Sequence, residues 1–422
     1  MAAMNRARHL AILMLPFVFP ELTHPEPLAV STDFPGGSAE LRALDPAAGR
    51  IEIAPSHHPD TGWPCWWYFR VDGATPGQAI TLRVGASDKP YRGNTKLAAA
   101  WSLPLRASIS TDDAMWLHTP PGIVTNGHAT YAIPAPARRF WMAWGPPFLP
   151  SHAEALLASA AMRLPSSERF VLANTRGDRP VPGIRIGKES APRAIWVQAR
   201  QHAWETGSSW VGRGFLEWVA GEDPAAVALR ETTEIWFIPI MDVDRVTIGA
   251  GGKEAVPRDH NRDWDDAPIY PEVAAAQQRL RSLAEGGRLR LFLDLHNPSP
   301  GDRRPYFYGP LDYEEMPPTK REDYDRLLRC TVEAMRGPLA IDPKYRFATY
   351  VKTDEERRRV SGAWARRNCG DDTVAVCLEI AWNTPESTAE GYRRIGREFG
   401  QAVANFLKGS CPAPSTTQGA SE

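Results

Sequence analysis

The sequence predicts an α/β protein in which an antiparallel β-sandwich precedes a layered α/β domain. Three observations lead there. From about residue 28 to residue 150 the chain runs in short β-rich stretches broken by proline and glycine, with turn signals at Asp72-Gly73, Pro76-Gly77 and Asn126-Gly127. From about residue 151 the texture changes to apolar runs alternating with long helical segments. And 422 residues are too many for one ordinary hydrophobic core, so two domains are the starting expectation.

In the first part, strands are expected at 66–71 (Trp-Trp-Tyr-Phe-Arg-Val), 79–84, 129–133 and 139–144. The spacing of these runs and the absence of any long helical period define the sandwich as residues 28–150. A helix opens at Ser151-His152-Ala153-Glu154-Ala155. Four apolar runs follow, at 194–199, 235–240, 289–295 and 374–380, each with the character of a parallel strand buried on both faces. Helical segments are read at 206–220, 271–285, 319–336 and 386–408; in the first, Trp210, Phe215 and Val219 share a side. These elements make residues 151–409 the second domain. The small, polar, proline-bearing segment 410–422 is expected to be disordered.

Residues 1–27 pose a targeting question. A basic stretch, Asn5-Arg6-Ala7-Arg8-His9, precedes the apolar run 10–19, which has signal-peptide length and is too short to span a bilayer as a helix. No clear Ala-x-Ala cleavage site follows. An exported or periplasmic protein with a signal and a cytoplasmic protein with a disordered extension both remain open. The formal net charge of −1 argues against a dedicated nucleic-acid surface. The five cysteines are sparse and irregular, which describes no disulfide framework and no CxxC metal site. Buried thiols are the expectation, with Cys369 and Cys377 the pair that would bridge on export. The fifteen tryptophans cluster around Trp63-Pro64-Cys65-Trp66-Trp67 and recur at Trp101, Trp116, Trp141 and Trp144, which reads as bulky core.

The chemistry-bearing residues lie at the ends of the apolar runs, where open α/β sheets bind ligands. His202 and Glu205 follow the run 194–199 and His296 ends the run 289–295. Two imidazoles and one carboxylate are the minimal set for a catalytic zinc that keeps a position for water. A lone HxxE is weak evidence; the third ligand and Glu379 at the end of 374–380, in place to act as base, strengthen it. Thr206-Gly207-Ser208-Ser209 offers capping hydroxyls for a helix that would point His202 and Glu205 at one metal. Asp294 is placed to orient His296 through its other ring nitrogen. Asn261-Arg262 offers an amide and a guanidinium fork suited to a carboxylate, and neighbouring His260 is read as structural or as a support behind the ligands.

These residues carry a family resemblance. His202-Ala-Trp-Glu205-Thr-Gly-Ser-Ser-Trp resembles the HPGE-x-x-SSW-type zinc motif of the cytosolic carboxypeptidase branch of the M14 metallocarboxypeptidases. Asp259-His-Asn261-Arg262-Asp-Trp264 resembles its DLNR-W segment, Asp294-Leu-His296 its DLH motif, and Cys377-Leu-Glu379 the strand bearing its catalytic glutamate. The resemblance implies an α/β/α catalytic domain with a mixed sheet and one zinc ion per chain bound by His202, Glu205 and His296. It implies Glu379 as general base, Asn261 and Arg262 as the clamp on a substrate's C-terminal carboxylate, and a peptide or protein C-terminus as the partner.

Departures from the family pattern sharpen the expectations. His-Ala-Trp-Glu stands for HPGE, and Met241-Asp-Val-Asp-Arg245 for NPDG. The position of the oxyanion-stabilising arginine falls near Gly252, which leaves Lys253 as the nearest cation to take that part. No tyrosine falls on the family's mobile-tyrosine position; Tyr350 is nearest and sits too early. The charges of 355–359 and Arg366-Arg367 read as a solvated helix face, or as a basic pocket for an acidic C-terminal side chain. Two other functions stand beside carboxypeptidase: a zinc amidase or deacylase on a small N-acyl or cell-wall substrate, and a non-catalytic binding module.

Overall fold

The computed structural model describes residues 27–411; the signal-like and tail segments expected at the two ends lie outside these apart from residues 27, 410 and 411. Ten strands come first: β1 (Ala29–Ser31), β2 (Glu40–Asp45), β3 (Arg50–Ala54), β4 (Tyr68–Asp72), β5 (Ala79–Gly85), β6 (Ser108–Ser110), β7 (Leu117–His118), β8 (Ile123–Thr125), β9 (His128–Pro134) and β10 (Phe140–Ala143). They form two five-stranded sheets, β1-β4-β10-β6-β7 and β2-β3-β5-β9-β8. Alternation explains their packing: Phe69 and Val71 of β4, and Ile80, Leu82 and Val84 of β5, are buried at every second position. The Trp67 and Tyr131 rings meet across the sheets at 6.3 Å between centroids. The pairings are antiparallel except for β3 with β5, which run parallel.

The remaining strands are β11 (Glu168–Asn174), β12 (Pro180–Ile186), β13 (Arg193–Ala199), β14 (Thr233–Ile238), β15 (Leu289–His296), β16 (Tyr306–Tyr308) and β17 (Val374–Glu379). They form a mixed sheet ordered β11-β12-β14-β13-β15-β17-β16. β14, β13, β15 and β17 are parallel, while the β11-β12 hairpin and β16 flank them antiparallel. The apolar runs find their partners in this parallel centre. The hairpin β11-β12 escapes pattern reading because its residues mix exposed and buried positions without alternation.

Helices α1 (Pro150–Arg163), α2 (Thr206–Val219), α3 (Pro224–Thr232), α4 (Val243–Thr247), α5 (Pro271–Ala284), α6 (Pro318–Ala334), α7 (Asp354–Arg358), α8 (Ser361–Asn368) and α9 (Ala389–Lys408) connect and cover the sheet. A Cβ at Gly212 of α2 would stand against Phe237 and Leu295, so α2 covers the face bearing Leu295. Trp264 and, beyond it, Trp364 of α8 cover the face bearing Phe292. The layering is therefore α/β/α. α2 is buried on nearly every side rather than along one stripe, because α9 packs on its outer face. Gly214 and Gly396 make that approach possible: a Cβ on either would collide with a backbone carbonyl of the other helix.

Cys330 of α6 and Cys411 form a disulfide, while Cys65, Cys369 and Cys377 are free thiols. Free thiols were the expectation for all five, so the Cys330–Cys411 bridge is a correction, while the conditional Cys369–Cys377 pair is not formed; α9 carries the chain back to α6 across a separation of 81 residues, which spacing does not reveal. Among the described residues no helix is long and apolar enough to cross a membrane.

Candidate metal centre

The parallel strands deliver the site. β14 lies on one side of β13, and β15 with β17 on the other, so the chain leaves β13 where strand order reverses. His202 and Glu205 follow β13, His296 ends β15 and Glu379 ends β17. Arg200 opens the turn with a left-handed φ of 66°, uncommon outside glycine. Its buried guanidinium donates to the Ala203 carbonyl at 2.7 Å and to the Phe148 carbonyl at 3.1 Å, pinning the turn from inside. Burial draws its pKa down to about 9.

Glu205 is the N-cap of α2, with its carboxylate at the positive end of the helix. The expected hydroxyl capping is not what holds this end. The Thr206 hydroxyl donates to the Pro146 carbonyl at 2.6 Å and that of Ser208 to the Glu205 carbonyl at 2.6 Å. The amide of Ser208 instead donates to the Asn297 side chain at 3.2 Å, and Asn297 Nδ2 donates to the Ile380 carbonyl at 2.5 Å. Asn297 thus ties together the segments that follow β13, β15 and β17.

The ligand atoms of His202, Glu205 and His296 lie within 4.8 Å of one another and all three residues are buried. Glu205 Oε1 is 2.8 Å from His202 Nδ1 and Oε2 is 2.7 Å from His296 Nδ1. Both imidazoles therefore aim the same nitrogen at the carboxylate, and their Nε2 atoms face outward onto further carboxylates. His296 Nε2 lies 3.0 Å from Asp294 Oδ2, which also accepts from the Ser361 hydroxyl at 2.5 Å and from the Gln201 amide. His202 Nε2 faces Asp259 Oδ1 at 3.7 Å, and both atoms are buried without a hydrogen-bond partner.

Charge dominates this cluster. Burial would raise the Glu205 pKa, and the two imidazoles bring it down to about 2. Burial likewise opposes ionisation of Asp259, yet His202, Arg262 and Lys253 hold its carboxyl well below the usual range. Two imidazole nitrogens and a carboxylate, buried and convergent, match the donor chemistry of zinc, and the carboxylates behind the rings are the partners metal-bound imidazoles take. The residues fit the ion.

Glu379 stands beside the cluster with Oε2 buried and unpartnered. Burial, reinforced by the Glu205 charge, pushes its pKa up to about 7 against the pull of His296 and Lys253. A cavity of about 400 Å³ contains His202, Glu205, His296, Glu379, Asn261, Lys253, Tyr308 and Tyr350. A second, of about 700 Å³, shares Asn261, Tyr308, Tyr350 and Glu379 with it and is lined further by Arg262, Arg358 and Arg366. Asn261 Nδ2 is 3.3 Å from His296 Nε2 and its Oδ1 accepts the Ser361 amide at 2.9 Å, so this amide sits on the boundary between the cavities.

The structure thus gathers every candidate: six line the metal-side cavity and Arg262 lines its neighbour. Lys253 is held by Trp63, whose amide donates to its carbonyl at 2.9 Å and whose ring lies 5.6 Å from its ammonium. Gly252 before it has φ +85° and no room for a Cβ beside Ala203, so a side chain at that position is excluded. Tyr350, the tyrosine nearest to the family's mobile position, lines both cavities. His260 bonds Glu272 at 2.5 Å and stacks on Tyr270, away from the ligand atoms, as a structural histidine. Gln201, Ser361 and Asn297 were not anticipated as site partners and carry no motif of their own; Asp259 opens the motif of Asn261 and Arg262 but was not read as facing His202.

The family model of the M14 peptidases, described as zinc carboxypeptidase, matches residues 153–370, just over half of the chain. Residues of this chain are 32% identical over 109 positions to cytosolic carboxypeptidase 3 of Bos taurus, covering 25% of this chain and 11% of that protein. Cytosolic carboxypeptidase 1 of Gallus gallus is 33% identical over 118 residues, 27% of this chain and 10% of that protein. The match therefore spans about a tenth of the length of these curated relatives. Among solved structures, a metallo-carboxypeptidase from Burkholderia cenocepacia superposes with a TM-score of 0.76 over 91% of this chain and 100% of its own, at 18% identity. One from Pseudomonas aeruginosa does so at 0.73 over 90% and 99%, at 19% identity. These likenesses establish the fold, the family model covers the site from His202 to Ser361, and the chain belongs to the M14 zinc carboxypeptidase family.

Proposed function

We propose that this chain is a zinc-dependent carboxypeptidase that removes C-terminal residues from peptides or proteins. The observation that carries the reading is the convergence of His202, Glu205 and His296 beside an unpartnered Glu379 carboxylate oxygen, with Asn261 and Arg262 at the adjoining cavity. Zinc held by the three ligands would polarise the scissile carbonyl and acidify a water. Glu379 takes the proton from the attacking water and returns it to the leaving amine, a role suited to a carboxyl whose pKa lies near neutrality. Asn261 and Arg262 hold the terminal carboxylate, the guanidinium as a two-point donor. Lys253 lines the metal-side cavity as a point charge for the oxygen that becomes negative.

The larger cavity receives the C-terminal side chain in this reading, and its arginines favour an acidic one. Asp312, Glu315 and Asp354 share the lining, but Arg366 keeps its partner Asp312 at 3.9 Å, while Arg357 is engaged more closely by Asp354 and the Val351 carbonyl. The test is a set of peptides with varied last residues, each free or amidated, incubated with the zinc-loaded protein and read by mass spectrometry. Loss of single residues from free peptides alone, fastest for Glu and Asp, is the expected result. Cleavage of amidated peptides at equal rate contradicts the carboxylate clamp and moves an amidase to the front.

A further inference from the structure

The metal-side cavity has one wall that the catalytic residues leave unused, and loops of the N-terminal domain supply two of its rings. Trp63 precedes β4 and Trp101 ends a short helical turn, Ala99–Trp101. Their ring centroids are 4.6 Å apart, and Trp101 meets Trp204 edge-on at 5.6 Å. Trp204 lies between the ligands His202 and Glu205, so the row of indoles runs from the sandwich to the metal-ligand turn. Elsewhere in the cluster Trp66, Trp67 and Trp144 are buried, whereas Trp63 and Trp101 are partly open, and both line the cavity with Trp204. The indole N–H groups of Trp63 and Trp204 are buried and have no partner. Phe347, 36% exposed, lines the same space.

The direction of a bound chain follows from the clamp. With its terminal carboxylate at Asn261 and Arg262 and its last side chain in the larger cavity, a substrate continues past Glu379 and the ligands into the metal-side cavity. The residue there is the one just upstream of the scissile bond. The charged groups around that wall are mostly neutralised: Arg346 pairs with Asp302 at 2.6 Å, and Glu254 with Arg92 at 2.9 Å. What remains is aromatic surface.

We propose that Trp63 and Trp101, together with Trp204 and Phe347, form a subsite that selects an aromatic or bulky aliphatic penultimate residue. This rests on the carboxypeptidase reading above. The N-terminal domain then contributes directly to specificity: the partly open indole faces of Trp63 and Trp101 receive the penultimate side chain.

The experiment uses free peptides with one fixed last residue and Phe, Leu, Ala, Gly or Glu before it. Turnover is measured on wild type, Trp101→Ala and Trp101→Phe, and binding is measured on Glu379→Gln. Wild type is expected to prefer Phe over Gly by about tenfold in kcat/KM, the scale of one buried ring. Trp101→Ala brings that ratio to within about threefold and Trp101→Phe restores most of it. Thermal unfolding of each variant identifies any that fails to fold, and Phe347→Ala, on the catalytic side, then supplies the same test. A flat penultimate profile, with terminal residues still released, overturns the subsite and leaves the carboxypeptidase reading standing. No release of residues, with Glu379→Gln still binding Phe peptides more tightly than Gly peptides, overturns the carboxypeptidase reading and keeps the aromatic wall as a binding surface. Neither release nor selective binding overturns both.

Discussion

His296 and Glu379 are register partners at the carboxyl ends of the adjacent parallel strands β15 and β17, and the amide of Ile380 donates to the His296 carbonyl at 2.8 Å. Backbone pairing, rather than loop conformation, thus fixes the spacing between a candidate metal ligand and the candidate base. Side chains on rigid strands hold such geometry better than side chains on loops.

The pH dependence follows from Glu379. Its carboxyl is raised from the usual 4.5 to about 7, chiefly by burial, and the proposed base role requires the ionised form. Activity is therefore present above the Glu379 pKa and lost as pH falls through it. Bound zinc favours the anion, so the acid limb of kcat/KM has its midpoint between the usual value and about 7. A pH profile of kcat/KM checks this; full activity persisting well below pH 4.5 contradicts it.

Asp294 holds His296 through Nε2 and is itself held by Ser361 and Gln201. Asp294→Asn is expected to weaken zinc binding by about 10- to 100-fold, the usual effect of removing a carboxylate behind a metal-bound imidazole. Competition with a chromophoric chelator measures it. Unchanged affinity contradicts the orienting role.

Asn297 makes two buried hydrogen bonds across three strand ends. Asn297→Ala leaves the Ser208 amide and the Ile380 carbonyl without those bonds and is expected to cost about 2 kcal/mol of stability or more. Urea denaturation reads that loss, and a zinc titration shows whether loosening of the ligand set accompanies it.

Lys253 is expected to act on the reacting carbonyl. Lys253→Ala then lowers kcat by on the order of 10²-fold with little change in KM, and Lys253→Arg recovers part of it. A loss confined to KM reassigns the ammonium to holding the substrate's carboxylate.

Much of this was legible in the sequence, for identifiable reasons. The four apolar runs became the parallel centre of the sheet because strands buried on both faces must be continuously apolar. His202, Glu205, His296 and Glu379 were found because they sit at the ends of those runs. That Tyr350 lines both cavities was not legible, because distance along the chain does not report which residues a cavity gathers. The Cys330–Cys411 bridge and the parallel β3-β5 pairing depend on contacts between distant segments, which carry no local signature. Asn297 replaced the expected hydroxyl cap because Thr206 and Ser208 spend their side chains on carbonyls instead.

The most direct test of the central claim is zinc per chain, measured by elemental analysis on wild type, Glu205→Ala and Glu379→Gln, with peptide turnover on the same preparations. The account predicts one zinc in wild type, loss of both metal and activity in Glu205→Ala, and an inactive Glu379→Gln that keeps its zinc. Full zinc occupancy in Glu205→Ala, or an active Glu379→Gln, would contradict it.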